Sequence, residues 1–270
     1  MMTGKKHSRL VAKNGFTLVE ILTAVAIIAI LVGILIPALN MVKKLAKDVQ
    51  QRAQISSIEI GINLYKNEDT FGDYPPSHGT NVGGTGTNYN YCGAQTLTEA
   101  MFGQDLLGVD PNTVYEPDQL TGLYADANDR KGPYLDRTHM GVFKAGDVYK
   151  SIAPLANEYV ICDVYNVVNK RFGNRTYKIG TPVLYFKADT AQTAMNAIYV
   201  YNDNKELIDL KTVVGDRDHS LTDTRFYEMI TDPMSANRPV RPDSFILISA
   251  GADGLYGTTD DICNFEPNIE

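Results

Sequence analysis

The chain predicts an α+β fold in which one long N-terminal helix, membrane-spanning in its first half and amphipathic in its second, packs on an antiparallel β-sheet head. Three observations predict it. No charged residue interrupts Ile21 to Val42, and as a helix rising about 1.5 Å per residue this run reaches roughly 33 Å, enough to cross a bilayer core. Beyond it Val42, Leu45, Val49, Ile55, Ile58, Ile62 and Tyr65 continue at helical spacing, broken only at Arg52. Later in the chain, short β-branched and aromatic runs alternate with Gly, Asn and Asp turns, which is the pattern of antiparallel strands.

The leader Met1 to Gly15 carries Lys5, Lys6, Arg9 and Lys13 and no acid. One helix is expected from about Thr17 to Tyr65, because Pro37 removes a backbone donor but a membrane helix can accommodate it. Gly72-Asp73-Tyr74-Pro75-Pro76 should stop that helix, since a Pro pair cannot continue the ladder. A Gly- and Asn-rich loop follows from Ser77 to Asn90, then a short helix from Thr96 to Leu107 and a polar, turn-rich stretch from Asp110 to Gly132. Strands are expected at Glu158 to Val168, Thr181 to Ala188, Ala197 to Asn202 and Ser244 to Ser249. No internal repeat is evident.

A secretory signal would place its small-residue cleavage site after the apolar region, whereas here Gly15 comes before it. Glu20, alone inside the run, is costly to bury in lipid; in a plain anchor it would simply be protonated. The stretch Gly15-Phe16-Thr17-Leu18-Val19-Glu20 resembles the type IV pilin and type II secretion pseudopilin family, and Pro37 matches the helix-bending Pro of that family. The resemblance implies a cut between Gly15 and Phe16 by prepilin peptidase, N-methylation of Phe16, and an assembly role for Glu20, which would neutralise the new amine of a neighbouring subunit. It divides the chain into a leader (1–15), a transmembrane and filament-core helix (16–39) and a pilin-like head (40–270) with a large insertion at about 77–240. Lys43, Lys44, Lys47 and Arg52 balance the leader charges, so the positive-inside count does not orient the helix. The resemblance does: leader in the cytoplasm, helix in the inner (cytoplasmic) membrane, head outside. The partners it implies are other pilin or pseudopilin subunits and the inner-membrane platform of a secretion system.

The chain has 25 basic and 32 acidic residues, and loss of the leader would make the remainder more acidic still, which gives no support to nucleic-acid binding. With one membrane helix, 270 residues allow one sizeable head domain carrying an insertion. Cys92, Cys162 and Cys263 are too few for a disulfide scaffold and lack paired metal-ligand spacing, although an oxidising exterior would permit one bridge.

A second informative stretch runs from Ser249 to Ile262. Gly251, Gly254 and Gly257 let it curl, and Asp253, Asp260 and Asp261 offer the oxygen ligands that Ca²⁺ prefers over the tighter octahedron of Mg²⁺. A solvated turn with unrelated acids is the competing reading, and the spacing is not that of an EF-hand. The loop resembles the C-terminal calcium loop of the major pseudopilin of type II secretion, which implies Asp253, Asp260 and Asp261 as side-chain ligands and Ala250 as a carbonyl donor. Tyr65-Lys66-Asn67-Glu68-Asp69 before Tyr74-Pro75, and Gly132-Pro133-Tyr134-Leu135, support the same branch. The stretch between Pro75 and Ser249 is far longer than a compact major pseudopilin carries, which points to a specialised subunit with a large central insertion.

His78, His139 and His219 lie in polar stretches with no zinc-protease, nucleophile-elbow or phosphate-loop motif nearby. Asp216-Arg217-Asp218-His219 reads as a charged surface turn, and the chain is expected not to be an enzyme. The alternatives are an adhesive or DNA-uptake type IV pilin, or a pilin-anchored hydrolase using Asp218 and His219.

Overall fold

The computed structural model describes residues 17–79, 82–84, 87–89, 91–117, 122–125, 129–149, 155–210 and 217–269. Helix α1 spans Leu18–Asn67 and continues through Pro37. The chain divides into two compact units, the first ending at Leu45 and the second beginning at Ala46. In the first, every described side chain is exposed within the chain itself.

In the second unit α1 buries Gln51, Gln54, Ile55, Ile58, Gly61, Ile62 and Tyr65. The lower part of the expected apolar stripe is different: Val42, Leu45 and Val49 are exposed. They lie roughly half a turn around the helix from Ile58, at about 100° per residue, and the residues in phase with Ile58 are polar and meet backbone. Gln54 Nε2 donates to the Cys162 carbonyl at 2.9 Å, Val164 N–H donates to Gln51 Oε1 at 2.9 Å, and Lys47 Nζ donates to the Tyr165 carbonyl at 2.7 Å. Polar side chains therefore occupy the face that simple periodicity assigns to hydrophobes.

After α1 come a small hairpin, β1 (Val82–Gly84) with β2 (Thr87–Tyr89), and the buried helix α2 (Gly93–Phe102). The start of α2 precedes the expected Thr96 because Gln95 Oε1 reaches back to the Cys92 N–H at 3.0 Å, and Gly103, at φ 77°, ends it before Leu107. Gly61 lets α1 approach α2, since a Cβ there would stand 2.9 Å from Met101 Sδ and from Leu135 Cδ2. Glu99 of α2 pins the turn-rich stretch that follows: Tyr91, Tyr124, Thr113 and Gln104 all donate to its buried carboxylate.

The sheets are antiparallel. β3 (Gly141–Lys144) runs into the short helix α3 (Ala145–Val148) and pairs with β4 (Tyr159–Cys162), while β5 (Val168–Phe172) and β6 (Arg175–Ile179) form a separate hairpin. Of the expected strand Glu158 to Val168 only β4 forms; residues 163–167 are a non-strand segment that turns its polar groups to α1, and β5 begins at Val168. β7 (Leu184–Lys187) pairs with β10 (Phe245–Ser249), which also pairs with β11 (Ile262–Cys263). Every residue of β10 is buried, so it reads as a continuous apolar run. The bridge between Cys162 and Pro182 and the bond from Val183 N–H to the Ile161 carbonyl link β4 to the segment entering β7.

Ala197 to Asn202 is not a strand. It forms the end of a helical turn, α4 (Met195–Ile198), and a 3₁₀ turn at Tyr201–Asp203 that together bury Ile198, Tyr199 and Tyr201. A short apolar run is compatible with either period. Further on lie α5 (Lys205–Ile208), α6 (Asp223–Met229), capped by Thr222, and the β8 (Thr231–Asp232) and β9 (Ser235–Pro239) hairpin.

Candidate functional site

At the N-terminal end, Gly15 and Phe16 lie outside the described residues. Glu20 is held locally: Thr17 N–H and Thr17 Oγ1 each donate to Glu20 Oε2 at 3.2 Å, and Glu20 N–H donates to Thr17 Oγ1 at 3.2 Å. This is a reciprocal capping box, satisfying first-turn donors while placing an acid at the positive end of the helix dipole. The Thr-Xaa-Xaa-Glu spacing is a sequence signal for that cap, beyond the role the family resemblance implies for Glu20. Leu18, Ile21, Leu22 and Val25 around it are exposed, and α1 is long and apolar enough to cross a membrane. Residues 11–36 match the prokaryotic N-terminal methylation motif. The motif indicates a type IV pilin-like substrate of prepilin peptidase that assembles with other pilins. No curated protein and no solved structure matches the chain.

At the other end, the acidic loop joins β10 to β11, leaving at Ser249 and returning at Ile262, which are paired across the ladder. Gly251, Gly254 and Gly257 all have positive φ, and a Cβ on Gly251 would collide with the Asp260 backbone. The structure brings Asp253, Asp260 and Asp261 into one loop but turns them to its own polar groups. Asp253 N–H donates to Asp260 Oδ2 at 3.0 Å, Gly257 N–H to Asp261 Oδ2 at 2.7 Å, and Thr258 Oγ1 to Asp260 Oδ1 at 2.6 Å. Ala250 is fully buried at the strand end. Burial, with Asp260 and Asp253 adding like charge, pushes the Asp261 carboxyl up to about 8; Asp253 is also raised, by burial first and by Asp260.

The donor set, oxygen only, fits a hard cation such as Ca²⁺, and the raised carboxyls are those a cation would relieve. Among the described residues no group of three or more His, Cys, Asp or Glu side chains takes an arrangement that holds a metal ion. The loop therefore has ligands of the right chemistry engaged as turn caps.

Sequence reasoning missed what clamps this loop. Arg217 donates to the Asp253 carbonyl at 3.1 Å and Arg225 Nε to the Gly257 carbonyl at 2.7 Å. Tyr256 N–H donates to His219 Nδ1 at 3.2 Å, and burial lowers that imidazole to about 4, so it is neutral near pH 7. Arg217 and Asp218 of the charged turn are exposed, as a surface turn requires, while His219 is half-buried against the acidic loop; Asp216 lies outside the described residues. No local pattern announces the clamp, because the contact joins segments far apart in the chain.

Proposed function

We propose that the chain is a structural subunit of a type II secretion pseudopilus or related type IV filament. Prepilin peptidase would cut it between Gly15 and Phe16, and α1 would store it in the cytoplasmic membrane with the head outside. Assembly would then proceed through α1 together with other subunits and the inner-membrane platform. The observation that carries this reading is the methylation motif at the start of a helix whose first half leaves its apolar side chains exposed among the described residues.

In the unassembled chain Glu20 caps its own helix. On assembly it is placed to exchange the Thr17 hydroxyl for the Phe16 ammonium of a neighbour, a stronger, charge-assisted partner. We further propose that Asp253, Asp260 and Asp261, with the Ala250 carbonyl, hold Ca²⁺, which supplies the positive charge that neutralises the crowded carboxyls.

Glu20→Leu tests the assembly role. The variant should insert into the membrane but lose incorporation into filaments, because the neighbour's amine is then buried without a counter-charge, which costs about 3 kcal/mol or more. Equal recovery of variant and wild type in sheared filaments would overturn it.

A further inference from the structure

From Val164 to Ala188 the chain has no acidic residue, although acids outnumber bases in the whole. Within that stretch the β5–β6 hairpin carries Lys170, Arg171, Arg175 and Lys178. Register puts Lys170 opposite Tyr177 and Phe172 opposite Arg175, with Arg171 opposite Thr176 and Asn169 opposite Lys178. Opposed residues share a face, so Arg171 and Lys178 stand on one side of the ribbon and Lys170 and Arg175 on the other. Residues 174–178 are exposed. Arg171, Arg175 and Lys178 make no ion pair among the described residues. Positive charge is thus concentrated on one projecting ribbon of an acidic molecule.

A cavity of about 440 Å³ elsewhere on the head has the opposite character. Tyr74, Pro76 and Ile198 line an apolar wall, and Asp73, Asp189, Asp203 and Asp243 supply carboxylates. Lys187 Nζ pairs with Asp73 at 2.7 Å, and Lys66 Nζ sits 3.9 Å from the Tyr74 ring centroid. Asp203 is almost fully buried, accepts from Ser77, and among the described residues forms an ion pair only with His78, at 3.6 Å. Asp189 makes no ion pair among the described residues, and Asp243 has only Arg238 at 3.8 Å. The volume accepts an Arg or Lys side chain, with its aliphatic stem on the wall and its charge among the acids.

We propose that the basic β5–β6 hairpin of one copy docks onto the acidic cavity of a second copy of this chain. The charge complementarity lies between two different surfaces of the same chain, so the contact is heterologous and propagates, as a filament requires. The proposal rests on the filament reading above and names the surfaces by which the heads meet.

The experiment is assembly of the full chain in cells with its processing machinery, read as recovery in sheared filaments. Arg171→Glu/Arg175→Glu/Lys178→Glu should lower recovery about tenfold, as opposed charges become repulsive, and adding Asp189→Lys/Asp243→Lys should restore it. Glu20→Leu is assayed alongside. Wild-type recovery of the triple variant with loss in Glu20→Leu would overturn the hairpin contact while leaving the filament reading; the basic side chains would then only guard open strand edges. Failure of the charge swap to restore a folded triple variant would overturn the cavity as the receptor. Unchanged recovery in every variant would remove both readings. Purified full chain is also tested on duplex DNA and phosphatidylglycerol vesicles; hairpin-dependent binding there, with filament recovery unaffected by the triple variant, would assign the ribbon to another polyanion and overturn the proposal.

Discussion

The Gln54 side chain donates its amide to the Cys162 carbonyl at 2.9 Å, tying α1 to the end of β4. With Gln51 and Lys47 it makes a polar seam where an amphipathic helix would ordinarily present hydrophobes. Gln54→Leu keeps the volume but leaves a buried carbonyl short of a donor, which costs about 1–3 kcal/mol. Thermal unfolding of the full chain in detergent should show a lowered Tm for Gln54→Leu and little change for Val49→Gln, since Val49 is exposed. Equal Tm values for wild type and Gln54→Leu would contradict the seam.

Gly61 leaves room on α1 for the side chains of Met101, on α2, and Leu135. A glycine in a helix interior normally costs about 0.5–1 kcal/mol relative to alanine, so its presence here is explained by Met101 and Leu135 occupying the space of a side chain. Gly61→Val should destabilise the head by about 1–3 kcal/mol through overpacking. An unchanged denaturation midpoint would show that the helices can separate freely.

Asp163, at the break between β4 and β5, is buried with Oδ2 lacking a hydrogen-bond partner. Burial pushes its carboxyl up to about 7, against the bonds from the Tyr165 and Thr181 backbone and the charge of Lys47. A raised folded-state pKa means the folded chain holds the proton more tightly than the unfolded chain. Its contribution is therefore fully present below about 4 and is lost as pH rises through about 7. Asp163→Asn should flatten the fall in Tm across that window. An identical pH profile in wild type and variant would exclude Asp163 as the titrating group.

Calcium is tested on the whole chain by calorimetry and by melting with and without chelator. At an ion concentration a hundredfold above its Kd, binding should add about 2.7 kcal/mol to stability, and Asp253→Ala/Asp260→Ala should abolish that gain. Asp73→Ala, at the distant cavity, is the control. Asp218 is less suitable, because its neighbour Arg217 holds the Asp253 carbonyl. Absence of saturable binding at millimolar ion would leave the loop as a turn capped by its own acids.

The long helix was legible in the sequence because it needs only an uncharged run and a 3.6-residue period, and β10 because a buried strand reads as unbroken apolar residues. Val42, Leu45 and Val49 misled the stripe because they are out of phase with its buried half: at about 100° per residue they lie roughly half a turn from Ile58, on the side of α1 away from the buried face, which Lys47, Gln51 and Gln54 continue. The β5–β6 hairpin has a readable Gly173-Asn174 turn, a pair suited to tight hairpins, but Lys170 and Arg175 interrupt the face that carries Val168, Phe172, Tyr177 and Ile179, so the apolar alternation of a half-buried strand is broken in both strands. The Arg217, His219 and Arg225 clamp was invisible because it is made by tertiary contact. At the N terminus the motif was fully legible, since processing is read from a linear segment.

Maturation at Gly15-Phe16 precedes every later step of assembly. The native protein, isolated from cells with active prepilin peptidase, should give an intact mass and an N-terminal peptide beginning at methylated Phe16, and Gly15→Val should remain a full-length precursor. A native chain that retains Met1 to Gly15 under those conditions would contradict the central claim.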